Sequence, residues 1–163
     1  MLSGQEIRER RLLGLDQGLI QPNGVDLSLG AVWRLLGAGV LGVSNVDRHL
    51  PEREPLEFDA EGWIELPPGG YGIRYAEAVE LPTDCGGLCF PRSSLLRMGL
   101  SVPTAVWDAG YAGRGEGWLQ VNNPHGVRLQ RGARIVQLVV FRLTRAAGVG
   151  YSGAYQHENR PPA

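Results

Sequence analysis

The sequence predicts an all-β fold, a distorted barrel or jelly roll with one short N-terminal helix. Three observations lead there. Apolar residues recur with period two, or in short unbroken runs, at intervals of about a dozen residues. Gly 24 and Pro 11 exceed average usage and punctuate the chain with turns. After Gly14 the β signals dominate. With 163 residues, 43% hydrophobic and 20% charged, the chain is expected to fold as a single domain with its own core.

The elements follow in order. Ser3 and Glu6 have capping-box spacing, and Leu2 with Ile7 can form the hydrophobic staple, so a helix is expected over 4–13 with Gly14 past its end. "VDLSL" (25–29) alternates apolar and polar residues. Shorter strands are expected at 38–43, 63–66 and 86–90. "YGIRYAEAVEL" (71–81) starts after the turn signal "PPGG" and stops before Pro82. Pro91 ends the 86–90 strand, Ser93 or Ser94 caps a helical turn over 94–98, and Gly99 ends that turn. The apolar strand "VPTAVW" leads into Asp108. Strands follow at 118–122 and 126–129. "RIVQLVVFRL" (134–143) is nearly continuous apolar, the pattern of a strand buried on both faces. Residues 1–149 therefore read as one β domain. The tail "GYSGAYQHENRPPA" (150–163), rich in Gly and polar residues, reads as a mobile C-terminal arm.

Charge and composition narrow the function. A net charge of −1 supplies no basic field for nucleic acid or a membrane surface. No apolar run reaches membrane-spanning length, and the N-terminus lacks a signal-peptide core. Cys85 and Cys89 stand in "CGGLC", too close for a bridge to gain much, so free thiols and a cytoplasmic location are expected. With His49, His125 and His157 they show no zinc spacing.

Chemistry concentrates in "PRSSLLRMGL" (91–100). Arg92, the Ser93 and Ser94 hydroxyls, and Arg97 one turn on form a donor cluster suited to a polyphosphate, since guanidinium forks grip phosphate oxygens in pairs. A solvated N-cap with two surface arginines is the plainer reading of the same residues. Gln137, inside an apolar strand, needs polar partners, and a ligand can be one. Asp108 stands at a strand end beside Gly-rich backbone, a place suited to a catalytic carboxylate or simply to a turn. Asp26 in "GVDLSL" and Arg134 each also admit a structural reading.

Five segments in this order, "IQPNGVDLSLG", "PRSSLLRMGL", "WDAGYAGRGEGWLQVNNP", "GARIVQLVVFRL" and "GYSGAYQ", resemble the superfamily of trimeric dUTP diphosphatases and dCTP deaminases. The resemblance implies a β-clip subunit of the dUTPase type and a homotrimer with active sites between subunits. It implies that Arg92, Ser93, Ser94, Arg97 and Gln137 hold the triphosphate of a deoxynucleotide. Asp108 matches the general base of the hydrolases, and Tyr111 matches the tyrosine that packs on the deoxyribose and disfavours a 2′-hydroxyl. The hairpin around 102–112, with Ala105, matches the one whose backbone reads the pyrimidine. Mg²⁺ is implied as the cofactor, held mainly by the triphosphate and partly, through water, by Asp26.

Within that superfamily the residues favour a dUTP diphosphatase releasing dUMP and pyrophosphate. The zinc-independent deaminases use a glutamate three residues before an Asn. Counted back from Asn123 this position is Gln120, carried here as a base-binding residue, and from Asn122 it is Leu119. Neither is a carboxylate able to shuttle a proton. Glu116 falls too early, although the segment 113–123 is about two residues longer than in the deaminases, which leaves its register open. The tail matches neither branch cleanly: Ala154 replaces a lysine of the deaminase tail, the arginine and denser glycine run of the hydrolase tail are also absent from it, and Tyr151, Tyr155 and Gln156 are the candidates for closing over the nucleotide. The alternatives are a dCTP deaminase or bifunctional enzyme, a deoxynucleotide-binding regulator without turnover, and a purely structural jelly roll.

Overall fold

Strand β12 (Arg134–Arg142) organises the molecule, because its unbroken apolar run is covered from two sides. It pairs antiparallel with β2 (Gly24–Leu35) on one edge and β7 (Cys85–Pro91) on the other. In this computed structural model, residues 1–10, 15 and 17–160 are described. β2 carries the two-residue β1 (Ile20–Gln21) at its start, passes a register shift between Leu29 and Ala31, and pairs there with β3 (Arg53–Leu56) and β5 (Gly69–Tyr75). β5 pairs with β10 (Glu116–Val121), and β10 with β8 (Leu100–Ser101). The sheet order is thus β7-β12-β2-β5-β10-β8. Two small ladders complete the set: β4 (Trp63–Leu66) with β11 (Val127–Gln130), and β6 (Val79–Glu80) with β9 (Ala112–Gly113). Among the described residues every strand pairing is antiparallel, and one sheet wraps into a nearly closed, barrel-like all-β fold around Leu27, Leu29, Ile73, Leu119 and Leu138, all fully buried.

The helix α1 (Gly4–Glu9) starts as its sequence requires. The Ser3 hydroxyl accepts the Glu6 N–H at 3.2 Å, the Glu6 carboxylate accepts the Ser3 N–H at 2.9 Å, and Leu2 and Ile7 are buried. It is shorter than the expected 4–13. Arg10 is its C-cap, and the Arg10 guanidinium forks onto the Asp84 carboxylate at 2.8 and 3.1 Å. Residues 11–14, including the expected terminal Gly14, lie outside the described residues.

Other boundaries differ for physical reasons. The 71–81 run breaks after Tyr75, because Ala76 donates to the Ser28 carbonyl and the Glu77 carboxylate takes the Ser28 N–H and hydroxyl. The 38–43 run is not a strand. Val40 makes a single bridge to His49, and Leu41 and Val43 lie exposed with no neighbouring strand. "VPTAVW" is extended chain rather than a strand, tied down at the Trp107–Gly87 bridge and by the Thr104 hydroxyl, which donates to the Cys89 carbonyl at 3.2 Å. β3 holds Pro55 and escaped notice. It is largely exposed and, among the described residues, pairs with β2 alone, and such an edge strand tolerates a proline without an N–H. The second helix, α2 (Ser93–Arg97), begins one residue early. Arg92 is its N-cap and makes no side-chain cap, so Ser93 and Ser94 are its first helical residues and neither is the cap. Gly99, at φ +79°, ends it as expected.

β2 and β5 approach closely where Trp33 faces Gly72. A Cβ at Gly72 would lie 2.0 Å from the Trp33 indole nitrogen, and Arg53 stacks over the same indole at 4.6 Å. Gly72→Ala is therefore expected to destabilise the fold by about 1–3 kcal/mol through overpacking. Urea denaturation checks this, and an unchanged midpoint would show that Trp33 has room to move.

Candidate active site

The residues expected to serve one nucleotide fall into two groups. The first gathers where β2, β7, β12 and α2 meet. Asp26 is buried in β2 and paired in register with Gln137 of β12, which in turn lies opposite Phe90 of β7. A buried carboxylate needs compensation. Arg92 donates Nη1 to Asp26 Oδ2, and Arg134 Nη1 reaches the same oxygen at 3.5 Å. Asp26 thus anchors two arginines, and Arg134 has the structural role the sequence left open. The Arg92 N–H donates to the Ile135 carbonyl at 2.9 Å, and buried Leu95 pins α2 to the core. Ser93, Ser94 and Arg97 are left exposed beside this pair. The result is a cationic shelf with two free-facing hydroxyls.

The second group surrounds a cavity of about 490 Å³. Ala105, Trp107, Asp108, Tyr111, Gly115 and Glu116 line it from the hairpin. Tyr151, Tyr155 and Glu158 line it from the C-terminal arm, and Leu50 and Arg53 from the chain leading into β3. Asp108 also borders a second, more apolar cavity, so its exposed carboxylate stands on the ridge between them. Among the described residues no side chain pairs with it. The turn that presents it closes with a Tyr111 N–H to Asp108 carbonyl bond of 3.1 Å and passes through Gly110 at φ +84°.

The arm is laid along this hairpin. The Gln156 carboxamide accepts the Ala112 N–H and donates to the Gly110 carbonyl, both at 2.9 Å. The N–H groups of Tyr151 and His157 donate to the Ala109 and Ala112 carbonyls. Tyr111 donates its hydroxyl to Glu158 at 3.0 Å. Burial, with the Glu158 charge beside it, raises the Tyr111 pKa, so that hydroxyl stays protonated and remains a donor. Tyr151 meets the Tyr111 ring edge-on at 5.9 Å, and Arg48 stacks on Tyr155 at 5.3 Å.

The shelf residues Arg92, Ser93, Ser94, Arg97, Gln137 and Asp26 do not line the Asp108 cavity. β7 separates the two groups. Gly87 bridges Trp107 near one end, and Pro91 leads into Arg92 at the other, about 13 Å away at strand rise. Gln120 is also outside the cavity. Its amide donates to the Gly69 carbonyl at 3.2 Å, and its oxygen faces the Trp118 indole N–H at 3.4 Å. Glu116, on the same face of β10 but four residues nearer the hairpin, is the carboxylate that β10 brings to the cavity, held by Arg53 at 2.8 Å. Arg53, Glu116, Glu158 and Trp107 were not picked out as site residues from the sequence. Glu116 drew notice only through a count that excluded it, and Arg53 arrives from a strand with no local motif. Both cysteines are free and buried. Burial pushes the Cys89 thiol up to about 12, so it is held in its protonated form.

A model of the dCTP deaminase-like family matches residues 1–143. A Methanosarcina mazei protein is 46% identical over 140 residues, 86% of this chain and 82% of its own length. One from Aeropyrum pernix is 48% identical over 145 residues, 89% of each chain. Both bear the name probable deoxyuridine 5′-triphosphate nucleotidohydrolase. Among solved structures, the 2′-deoxycytidine 5′-triphosphate deaminase from Agrobacterium tumefaciens has the same fold, with a TM-score of 0.64 at 22% identity over 85% of this chain. This chain spans about half of that one, 47%.

The arm's docking carries its own pH dependence. Burial raises the Glu158 pKa above the ordinary 4.5, the nearby Glu116 charge adds to this, and the Tyr111 and Arg53 contacts oppose it. The docked arm therefore binds a proton more tightly than the free arm. Docking is fully favoured below the ordinary value and weakens as pH rises through the raised one. Amide protection at Tyr151 and His157, corrected for intrinsic exchange, should fall across that window, and Glu158→Gln should flatten the response. A flat profile in the parent protein would contradict the assignment.

Proposed function

The chain belongs to the dCTP deaminase-like family, and on that premise we propose that it is a dUTP diphosphatase, cleaving dUTP to dUMP and pyrophosphate. One observation carries the reading: an exposed, unpaired Asp108 stands in the cavity beside Tyr111, while strand position 120 holds a glutamine already bonded to backbone. A carboxylate in that state suits a general base for water. The archaeal relatives bear the name of the same activity.

In the proposed reaction Asp108 takes a proton from water as its oxygen attacks the α-phosphorus. The new P–O bond forms, the bond to the bridging oxygen breaks, and pyrophosphate leaves with the electron pair. Arg97, the Ser93 and Ser94 hydroxyls, Arg92 and Gln137 bind the phosphate oxygens and stabilise charge on the leaving group. Tyr111 backs the deoxyribose, and the backbone near Ala105 faces the base. No three His, Cys, Asp or Glu side chains converge on a metal site among the described residues, and Asp26 is taken by its arginines. That donor set fits Mg²⁺ carried by the triphosphate rather than caged by protein, with Asp26 at most an outer contact. Mg²⁺ there would spread the charge that develops on the phosphates.

The separation of shelf and cavity supports a shared site. Apolar side chains lie exposed beside each half: Phe90 and Leu96 near the shelf, Val106 and Val149 near Asp108. A head-to-tail contact between these faces, closed by rotation, gives a ring in which one subunit's shelf meets its neighbour's cavity. We propose that the ring is a homotrimer, the number of subunits that the family resemblance implies, with a cytoplasmic location in keeping with the two free thiols.

Asp108→Asn is expected to lower hydrolysis by about 10²–10⁴-fold while dUTP binding by calorimetry changes little. Near-normal turnover would return Asp108 to a turn role. The shared site has its own check. Asp108→Asn and Arg97→Ala subunits, each inactive alone, should regain up to about a quarter of the parent rate when unfolded and refolded together, the fraction of randomly paired sites with both halves intact. No recovery would place the whole site in one chain. Chromatography after incubation with dCTP and Mg²⁺ should show the amino group retained, whereas ammonia release would make Glu116 the proton shuttle.

A further inference from the structure

Trp107 is the residue just before Asp108, and four contacts hold it. Its N–H and carbonyl both bond to Gly87 at 2.9 Å, joining the hairpin to β7. Its indole contacts Tyr75, fully buried in the core, at 5.9 Å between ring centres. The outer edge of the indole meets Gly115, where a Cβ would lie 2.5 Å from the ring. Finally, Tyr111 stands edge-on to the indole at 5.2 Å and 86°. The glycine at 115 is thus what admits an indole between the hairpin strands, and the indole in turn limits how far the Tyr111 ring can retreat. A tyrosine backed by a small or flexible residue would yield to a larger ligand. One backed by an indole set against a buried tyrosine does not, because interiors are close-packed and transmit strain.

We propose that Trp107 is a positioning residue that sets the sugar selectivity of this site, by holding the Tyr111 ring where a 2′-hydroxyl on the bound nucleotide would collide with it. The inference rests on the dUTP diphosphatase reading, in which Tyr111 backs the deoxyribose. It adds that the discrimination resides in the rigidity of the Trp107–Gly115 packing behind that ring as well as in the ring itself. Asp108 is carried on the same clamped backbone, with its own side chain exposed.

The test compares kcat/KM for dUTP and UTP, with Mg²⁺, in the parent protein and in Trp107→Ala, Trp107→Phe and Gly115→Ala. Binding of the non-hydrolysable α,β-imido analogues of both nucleotides is measured alongside. Trp107→Ala should raise the UTP-to-dUTP ratio by about tenfold or more, the scale on which an apolar wall discriminates a hydroxyl. Trp107→Phe, which keeps a ring, should restore most of the parent ratio. Gly115→Ala displaces the indole from its outer edge and should move the ratio as well. A ratio constant to within about twofold while both substrates lose activity equally would reduce Trp107 to a structural residue and overturn the proposal. Should Trp107→Ala fail to fold, an unchanged ratio in Gly115→Ala, where the added Cβ meets the indole, overturns it equally. If the parent protein hydrolyses neither nucleotide, the diphosphatase reading falls instead, and the ratio of imido-analogue affinities still decides the role of Trp107.

Discussion

Strand β7 is the ruler on which this site is built. It is stitched to β12 through seven registered pairs, from Val136–Pro91 to Arg142–Cys85, and cannot bend to bring its ends together. The Asp108 hairpin is fastened near one end through Gly87, and the arginine–serine turn follows directly from the other. One barrel therefore displays the Asp108 hairpin and the arginine–serine turn about 13 Å apart along β7. The proposed ring of subunits is the simplest arrangement that satisfies this constraint, since a heterologous contact sets unlike surfaces against each other in every interface.

The shelf half shows how burial and charge are reconciled. Asp26, on β2 beside Gln137 of β12, is almost fully enclosed, where an unpaired carboxylate would be costly. Arg92 and Arg134 converge on one of its oxygens, and this holds Arg92 at the threshold of α2 without a side-chain cap. The cation is thereby preorganised beside the exposed Ser93 and Ser94 hydroxyls. Preorganised donors stabilise developing charge better than ones that must be ordered during the reaction.

The cavity half is less rigid by design of its contacts. The hairpin is clamped in the core through Trp107, but its outer wall is the arm, held by side-chain bonds such as those of Gln156 and Glu158. His157 and Asn159 take left-handed backbone angles, φ 64° and 53°, to make those bonds. Such conformations persist only while neighbouring contacts enforce them. The outer wall is thus held by contacts that respond to pH, whereas the inner wall is packed into the core.

Much of this was legible in the sequence. The capping box at Ser3, the strand at 134–142, the glycine stop at Gly99 and the grouping of Arg92, Ser93, Ser94 and Arg97 are local patterns, each set by residues within a few positions of one another. The family followed from five such patterns in order. What lay beyond reach depended on which residues meet across the barrel. The 38–43 run has strand-like composition, yet no strand lies beside it. Glu116 and Arg53 are 63 positions apart and join only because β2 pairs with both β3 and β5 and places them on one rim. The same holds for the division of the site. Sequence determined the chemistry of each half, because a guanidinium, a hydroxyl or a carboxylate brings its reactivity wherever it sits. Only the tertiary structure decided that the halves stand apart, because the distance between them is the length of a paired strand, and that pairing is a property of the whole sheet.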